Sequence, residues 1–348
     1  MEQLGNLPWN QITFPKLGLE FNVGSDAFTV FGLTIKWYGI IIALGLLLAL
    51  IYCFRRMEHF GLDGDKVIDA VFAGIIGGIV GARLYYIAFN LDQYRDIKEI
   101  LSIRSGGLAI FGGLIGAILC GGITARVKKI KLPPLLDIAS MGFLIGQGIG
   151  RWGNFFNHEA FGTNTDMPWG MSSGKIQQYL LVNMDTILEE TGITVDPYRP
   201  VHPCFLYESL WCLLGFLLLH LYYKKRKYDG EMFLLYVCWY GLERMIVEGL
   251  RTDSLFIGSF RVSQMLAGLL FVSSLTILTV NHFRFKKNGV PELYVNTEES
   301  KAILKAAKES EEAANKKAAK GKELSADQHI IVDDDEEIKE DIENGKDN

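Results

Sequence analysis

The chain has 348 residues, of which 49% are hydrophobic, and a formal net charge of −5; its mean hydropathy is +0.18. Several apolar runs reach 18 residues or more, long enough to cross ~30 Å of hydrocarbon as a helix. The acidic balance is local, because residues 297–348 hold 9 Lys and 16 Asp or Glu and leave +2 on the rest of the chain. The basic residues follow membrane topology, so the composition indicates no nucleic-acid partner. We predict an all-α, polytopic membrane protein.

Residues 1–33 contain alternating apolar positions and predict an external amphipathic arm, or a short strand-like segment, at a membrane surface. They lack a basic start followed by an apolar core, so we expect no cleavable signal peptide. A transmembrane domain of seven helices follows over residues 34–285. Its predicted spans are residues 34–54, 67–89, 107–125, 134–151, 204–223, 231–249 and 261–281.

Basic clusters set the orientation of these spans. They follow the first, third, fifth and seventh spans, at Arg55–Arg56, Arg126–Lys131, Lys224–Lys227 and Arg284–Lys287. With seven spans all four lie on one side, which the positive-inside rule makes cytoplasmic. The N-terminus is then outside, residues 152–203 form a small external head, and the C-terminus is inside. Residues 286–348 are predicted to be a charged, largely disordered cytoplasmic tail, with partial helix over Glu298–Lys322.

Small residues recur at four-residue spacing inside several spans, a pattern that lets helix backbones approach closely. Examples are Gly77 and Gly81 in the second span, Gly112 and Gly116 in the third, and Gly142, Gly146 and Gly150 in the fourth. The five cysteines have no metal-ligand spacing, and we expect neither a metal nor a cofactor.

The segment 146–162 is the most informative stretch of the sequence. It begins as the end of an apolar run and becomes polar, with Arg151, Asn154, His158 and Glu159 close together. A charge at this boundary marks a functional site unless it snorkels to the interface, and the segment alone leaves both interpretations open.

Depth along the helices favours a site. At 1.5 Å per residue, Arg83, Arg151 and Arg244 lie roughly 24, 26 and 20 Å from the inner boundary. Tyr38 lies near the outer start of the first span. In the sixth span Tyr240, Arg244 and Glu248 share one helix face, where Arg244 and Glu248 form a predicted ion pair. Glu243, one step off this face, is expected to pair with a charge on a neighbouring helix.

A structural ion-pair network would explain these residues without any function. However, three arginines at one depth exceed their expected acidic partners, Glu248 and Glu159. Guanidinium groups bind phosphate through paired hydrogen bonds and stay charged. The pattern therefore favours a site for an anionic phospholipid of the outer leaflet.

These residues resemble the motifs of the bacterial prolipoprotein diacylglyceryl transferases, over about residues 1–285. The resemblance rests on the signature at Gly150–Gly162 and on five further segments in the same order. These segments are Ile35–Gly39, Gly77–Arg83, Gly106–Gly113, His202–Glu208 and Tyr240–Arg251. It implies transfer of the diacylglyceryl group of phosphatidylglycerol to the lipobox cysteine of a prolipoprotein signal peptide, with release of glycerol 1-phosphate. The enzyme would lie in the bacterial cytoplasmic membrane with its active site facing the outer leaflet.

The resemblance also implies roles for individual residues. Arg151 would hold the lipid phosphate, assisted by Asn154, and Arg244 would stabilise the leaving phosphate. Glu248 would orient Arg244, and Glu159 would support the site from the head. The remaining implied substrate contacts are Arg83, Tyr38, Gly162, Tyr207 and Tyr240.

Three positions depart from the family pattern. Phe111 stands where many members carry a histidine proposed as the base for the substrate thiol, and it cannot accept a proton. Cys204 and Phe205 replace a common Ser-Gln pair. His158 stands where glycine is common, and a solvated loop histidine is the favoured interpretation over a substitute base.

Two other functions remain open at this level: a lipid-binding or lipid-transporting bundle without catalysis, and an inactive family member. The sequence does not identify the thiol base, the prolipoproteins and acyl chains used, the oligomeric state or the role of residues 297–348. A transporter would be expected to show internal repeats, and the sequence shows no convincing one.

Overall fold

A computed structural model describes residues 4–91, 96, 107–252, 256–257 and 260–316. The described chain is a bundle of long helices with small sheets at one end. Its helices are α1 (Trp37–Arg56), α2 (Gly64–Ala88), α3 (Ile110–Val127), α4 (Leu132–Asn157), α5 (Gly174–Thr191), α6 (Cys204–Tyr222), α7 (Glu231–Glu248) and α8 (Val262–Asn288). The chain is also helical from residue 298 to residue 316, the last one described.

The prediction of a multi-pass α-helical membrane protein is confirmed. Six helical segments of the described chain, which contain α1, α2, α3, α4, α6 and α8, are long and apolar enough to cross a membrane. The sixth predicted span is α7, whose 18 residues include four charged ones, Glu231, Glu243, Arg244 and Glu248. It packs against α8, α4 and α6 inside the bundle. Seven spans therefore remain the prediction for the chain, as does the orientation.

The fourth helix differs from its prediction in a way that matters for the site. It was expected to end at residue 151, but α4 continues to Asn157 and ends where His158 adopts a left-handed backbone with φ of 57°. Arg151 and Asn154 therefore lie on the last two turns of a helix and not in a polar loop. A helix holds such side chains in a more defined position than a surface loop does.

Glycines bring helices together as expected. A Cβ on Gly45 of α1 would lie 3.3 Å from the carbonyl oxygen of Gly146 in α4. Between α2 and α3, a Cβ on Gly116 would collide with the carbonyl oxygen of Gly77 and lie 3.1 Å from the Cα of Gly81. We call α2 and α3 the glycine pair, since in the described chain each makes its most extensive contact with the other.

The helices α4, α6 and α7, which we call the polar core, are joined by side-chain hydrogen bonds. Trp211 and Trp239 stack with ring centroids 4.3 Å apart. Each indole donates to the other residue's carbonyl oxygen, at 3.0 and 2.9 Å. Trp152 of α4 donates to the Ser209 hydroxyl of α6 at 3.1 Å. These contacts fix the rotation of the three helices relative to one another.

The N-terminal arm forms two hairpins. Strands β1 (Gln11–Phe14) and β2 (Leu19–Asn22) make the first, and β3 (Asp26–Val30) and β4 (Leu33–Lys36) the second, which leads directly into α1. The second hairpin covers the segment where the sequence predicts a strand-like piece. The short strand β5 (Ser172–Ser173) pairs with β1 and joins the arm to residues 158–203.

Residues 158–203 form the head, which stands over the ends of α4 and α6. Its own core includes Phe161, Leu180 and Val201, packed with Phe155 of α4 and Phe205 of α6. Ser173 caps the start of helix α5, because its hydroxyl accepts from the N–H of Ile176. The head thus packs against the start of α6 and against the end of α4, which carries the polar part of segment 146–162.

After α8, the chain packs at the end of the bundle opposite to the head. A 3-10 turn at Tyr294–Asn296 precedes the helical residues 298–316, within the stretch where partial helix is predicted. The tail was predicted to be largely disordered over residues 286–348. Residues 286–316 contain the end of α8, this turn and this helix, and residues 317–348 lie outside the described part of the chain. Two further short strands, Phe256–Ile257 (β6) and Phe260–Arg261 (β7), precede α8.

Candidate active site

The last turns of α4 meet the start of α1 across a glycine. A Cβ on Gly153 would lie 2.7 Å from the ring of Tyr38, so glycine is needed for this approach. The approach brings Tyr38 beside Arg151 and Asn154, and all three line one cavity. The sequence prediction that Tyr38 and Arg151 share one level is confirmed.

Glu208 on the first turns of α6 is the centre of the charged cluster. Its side chain is fully buried and forms ion pairs with Arg151, with Arg244 at 3.2 Å and with Arg251 at 3.7 Å. A buried carboxylate is costly unless it is paired, and three guanidinium groups stabilise this one. Glu208 therefore fixes where Arg151 of α4 and Arg244 of α7 meet.

The predicted ion pair on α7 is also present. Arg244 binds Glu248 at 2.5 Å as well as Glu208, so two carboxylates hold its guanidinium. Tyr240, one turn earlier, stacks on Tyr236 with ring centroids 5.9 Å apart and lies within electrostatic reach of Arg151 and Arg244. The α7 face predicted from four-residue spacing is thus turned toward the α4 terminus.

Gly162 positions the third arginine of the cluster. It forms an antiparallel bridge with Arg251, and its N–H donates to the carbonyl oxygen of His202 at 2.8 Å. A Cβ there would lie 2.8 Å from the Leu250 carbonyl oxygen and 3.0 Å from Cys204 Sγ. Only glycine leaves room for these two segments to approach, and their pairing brings Arg251 to Glu208.

A cavity of about 560 Å³ begins at Arg151, the member of this cluster that lines it. Arg151, Asn154 and Tyr38 line one end, and Met57 and Val67 line the other. Between them the walls are almost entirely apolar side chains and glycine from α1 and α4. They include Ile42, Leu46, Ala49, Leu50, Phe54, Ile138, Gly142 and Phe143, with Val71 of α2 and Ile110 of α3. The site therefore combines the Arg151 guanidinium at one end with a long apolar space.

Arg83, Glu159 and Tyr207 lie apart from the described cluster. The Arg83 guanidinium donates to the carbonyl oxygen of Gly107 at 3.0 Å, just before α3. Glu159 is exposed, with the Asn157 side chain 3.5 Å away. The Tyr207 hydroxyl accepts from the indole of Trp169 in the head at 2.7 Å. Tyr207 therefore joins the head to α6.

The interpretation of His158 as a solvated loop histidine is wrong. Its side chain is buried and its Nε2 donates to the carbonyl oxygen of Val23 at 3.1 Å, which ties the head to the N-terminal arm. Burial lowers its pKa below the ordinary value of 6.5. Phe111 lies on the first turn of α3 with 64% of its surface exposed, and it is not among the cavity residues.

The charge count expected from the sequence needs correction. The sequence assigned Glu248 and Glu159 to Arg83, Arg151 and Arg244. Glu248 does pair with Arg244, but Glu159 is exposed, and Glu208 and Glu243 lie among the arginines instead. Arg251, and not Arg83, is the third arginine of the cluster. Glu243 is buried, and neither of its carboxyl oxygens has a hydrogen-bond partner in the described chain. Its predicted pairing is therefore not a hydrogen-bonded one.

Glu208 is the residue that sequence reasoning missed as a site residue. A signal was present, because an ionisable residue within an apolar span is a functional candidate by itself. In the sequence, Glu208 was noted only as part of the family-like segment His202–Glu208, and it was given no role of its own. Depth along one helix does not report which face of that helix meets its neighbours.

Comparison with known proteins decides the family. The model of the family described as prolipoprotein diacylglyceryl transferase matches residues 25–280. The chain belongs to the prolipoprotein diacylglyceryl transferase family. It is therefore a transferase of a multi-pass membrane type, and Arg151, Glu208, Arg244 and Arg251 all lie inside the matched region.

Similar curated proteins agree with this assignment. The chain is 40% identical over 260 residues to a protein of Thermotoga maritima, covering 72% of this chain and 82% of that one. It is 38% identical over 267 residues to one of Clostridioides difficile, covering 76% and 98%. It is 38% identical over 281 residues to one of Staphylococcus aureus strain Newman, covering 80% and 95%. Each is named phosphatidylglycerol–prolipoprotein diacylglyceryl transferase.

Proposed function

We propose that the chain transfers the diacylglyceryl group of phosphatidylglycerol to the thiol of the lipobox cysteine of prolipoproteins. The reaction forms a thioether and releases glycerol 1-phosphate, as the first step of bacterial lipoprotein maturation. The observation that carries this proposal is that Arg151, which lines one end of the apolar cavity, belongs to the arginine cluster around Glu208. A phospholipid needs both features, one for its phosphate and one for its acyl chains.

The cavity suits the diacyl part of the substrate. It extends along α4 from Asn154 to Leu135, which corresponds to about 28 Å at 1.5 Å per residue. This length is close to the ~30 Å thickness of the hydrocarbon core of a bilayer. Acyl chains in this space would leave the phosphate at the level of Arg151.

The arginines take different roles in this proposal. Arg151, which faces the cavity beside Asn154, binds the phosphate of the incoming lipid. Arg244 stabilises the charge that develops on the leaving phosphate, an effect that preorganised donors supply in many active sites. Glu248 and Glu208 hold Arg244 in place, so its guanidinium needs no reorganisation during the reaction.

The other predicted site residues surround this centre. Tyr38 and Tyr240 contact the headgroup beside Arg151, and Gly162 allows the approach of the segment that carries Arg251. Arg83 on α2, Tyr207 on α6 and Glu159 in the head bind or orient substrate. Their described contacts lie away from Glu208, so these three roles require larger rearrangement than those of Tyr38 and Tyr240.

The chemical step needs a thiolate. The thiol of the peptide cysteine has an ordinary pKa of ~8.5, and neighbouring guanidinium groups favour its charged form. The sulfur attacks the glyceryl carbon, the carbon–oxygen bond to the phosphate breaks, and the released proton ends on the phosphate that leaves. Since Phe111 accepts no proton, this route has no histidine base at the start of α3.

The proposed topology places the cluster in the outer half of the bacterial cytoplasmic membrane. Arg55 and Arg56 end α1, and Lys224 and Lys225 follow α6, at the end of the bundle opposite to Arg151. Under the positive-inside rule that end is cytoplasmic, so the site faces the leaflet where the signal peptide emerges.

One assay tests the proposal. Purified full-length protein is mixed with phosphatidylglycerol and a lipobox peptide, and release of glycerol phosphate is measured. We expect release with the cysteine peptide and none with the matched serine peptide. Binding of phosphatidylglycerol and of the cysteine peptide without any release would contradict the enzymatic proposal and would indicate a lipid-binding bundle or an inactive member.

A further inference from the structure

Beyond residue 280, where the family match ends, the chain packs against the turn between α1 and α2, at the far end of the cavity. We define residues 293–310 as the strap. Its buried anchors are Tyr294 and Ser300, and Ile303 and Ala307 lie half-buried on the same helix face. The spacing of three and four residues among Ser300, Ile303 and Ala307 makes one face of the helix contact the bundle.

The strap meets the turn between α1 and α2. The Ser300 hydroxyl donates to the carbonyl oxygen of Gly61 at 3.1 Å, and Ser300 is fully buried. A Cβ on Gly61 would collide with Ser300 and lie 2.8 Å from the Cα of Val295. Gly61 also has a φ of 75°, which favours glycine. The turn and the strap are thus in direct contact, with no room for a side chain between them.

Two ion pairs and one hydrogen bond extend this contact. Lys308 of the strap pairs with Glu58 of the turn at 3.2 Å, and Glu299 pairs with Lys131, just before α4, at 3.1 Å. The N–H of Tyr294 donates to the carboxylate of Asp229, between α6 and α7, at 2.7 Å. The strap therefore connects three loops at one end of the bundle.

The same turn lines the far end of the cavity. Met57 begins the turn and Val67 lies on the first turns of α2; both line the cavity, and both are at most 3% exposed. The cavity therefore ends against them. Met57 and Val67 belong to one buried cluster with Phe60 and Leu62, the residues on either side of Gly61. A displacement of Gly61 would move the residues that line this end.

We propose that the strap holds the α1–α2 turn in place and so determines the length of acyl chain that the cavity accepts. This inference rests on the proposed function, in which the cavity holds the acyl chains of phosphatidylglycerol. The strap lies at the end of α4 remote from Arg151, so it acts as a positioning element. Its loss should change the binding of the lipid and leave the chemical step largely intact.

The test uses the full chain with Ser300→Trp, which cannot fit at a fully buried position. Ser300→Ala is the conservative variant, because it keeps the volume and loses one hydrogen bond. Glu311→Trp is the matched control, since Glu311 is exposed on the same helix. Two readouts are combined: the rate of trypsin cleavage at Lys301, Lys305 and Lys308, and transfer from phosphatidylglycerols with short and long acyl chains.

We expect Ser300→Trp to accelerate cleavage at the strap lysines and to change the long-to-short ratio of kcat/KM by up to about tenfold. The change should come from KM, with kcat kept. Ser300→Ala and Glu311→Trp should behave as the wild-type chain. A released strap with an unchanged ratio would overturn the proposal, and so would a strap that stays protected in Ser300→Trp.

Failure of the proposed function is distinguishable from failure of the strap. If the wild-type chain releases no glycerol phosphate, the function fails, and competition between short-chain and long-chain phosphatidylglycerol for binding replaces the transfer ratio. A chain-length preference of binding that Ser300→Trp removes still supports the strap. Equal preference in both proteins contradicts it.

Discussion

The glycine pair and the polar core are held together by different forces. In the glycine pair, backbones touch at Gly77, Gly81 and Gly116, and the outward faces of α2 and α3 are apolar and exposed. In the polar core, Glu208 and its arginines, the Trp211–Trp239 pair and the Trp152–Ser209 bond cross between helices. The cavity is lined mainly by α1 and α4, and the glycine pair contributes Val67, Val71 and Ile110.

The difference shows where chemistry is to be expected. Lipid is as apolar as a leucine side chain, so packing in the glycine pair depends on close contact and shape. Ionisable groups within a membrane are costly and persist where they serve a function. Changes in the polar core should therefore affect activity first, and changes in the glycine pair should affect stability first.

The largest effect is expected from the arginines of the polar core. Arg151→Ala and Arg244→Ala should each lower turnover by about 10²–10³-fold, the usual cost of removing one preorganised donor from a developing oxyanion. Turnover is measured by release of glycerol phosphate. Arg126→Ala, at an exposed position near the end of α3, is the control and should keep activity. Near-normal turnover in either variant would remove that arginine from the proposed role.

The glycine pair should respond through stability. At Gly116 a Cβ would collide with the Gly77 backbone, whereas Gly122 on the same helix has nothing within 4 Å. Gly116→Val should destabilise the protein by about 1–3 kcal/mol through overpacking, and Gly122→Val should not. Thermal unfolding in detergent measures both. Equal unfolding temperatures for the two variants would show that close approach does not stabilise this pair.

A smaller effect is expected from pH at the contact between head and arm. Burial lowers the pKa of His158 below 6.5, so the unfolded chain binds this proton more readily than the folded one. Stability from this group is complete above about pH 6.5 and decreases as the pH falls toward the folded pKa.

His158→Asn tests this effect, since asparagine tolerates the left-handed backbone at this position. It should reduce the loss of unfolding temperature between about pH 7.5 and 5.5. His282→Asn, at an exposed position on α8, should keep the wild-type dependence. If His158→Asn keeps it too, titration of His158 does not contribute.

The smallest effect is expected at Phe111. It lies at the start of α3, is not among the residues that line the cavity, and has 64% of its surface exposed. Phe111→His should therefore change turnover by less than about twofold, as exposed substitutions usually do. Activity that appears only in the histidine variant would identify the natural chain as an inactive member of its family.

Much of this architecture could be predicted from the sequence. The length of the apolar runs predicted the long helices. The four-residue spacing of Tyr240, Arg244 and Glu248 predicted the correct face of α7. The continuation of α4 to Asn157 could not be predicted, because its last turns are polar and are stabilised by packing of Phe155 against the head. Local polarity alone indicated a loop there.

The central residue of the site, Glu208, could not be predicted from the sequence either. Glu208 lies on another helix than Arg151, and only the rotation of α6 against α4 shows that their side chains meet. That rotation depends on contacts such as Trp152 with Ser209, which have no signal in either helix alone. Glu159 illustrates the reverse case, because it is near Arg151 in sequence but exposed at the head.

The central claim is that the arginines around Glu208 recognise the phosphate of a lipid whose chains occupy the cavity. The most direct measurement compares binding of phosphatidylglycerol and of uncharged diacylglycerol to the wild-type chain, to Arg151→Gln and to the control Arg126→Gln. We expect the wild-type chain and the control to prefer phosphatidylglycerol, and Arg151→Gln to lose this preference while still binding diacylglycerol. An undiminished preference in Arg151→Gln would contradict the account.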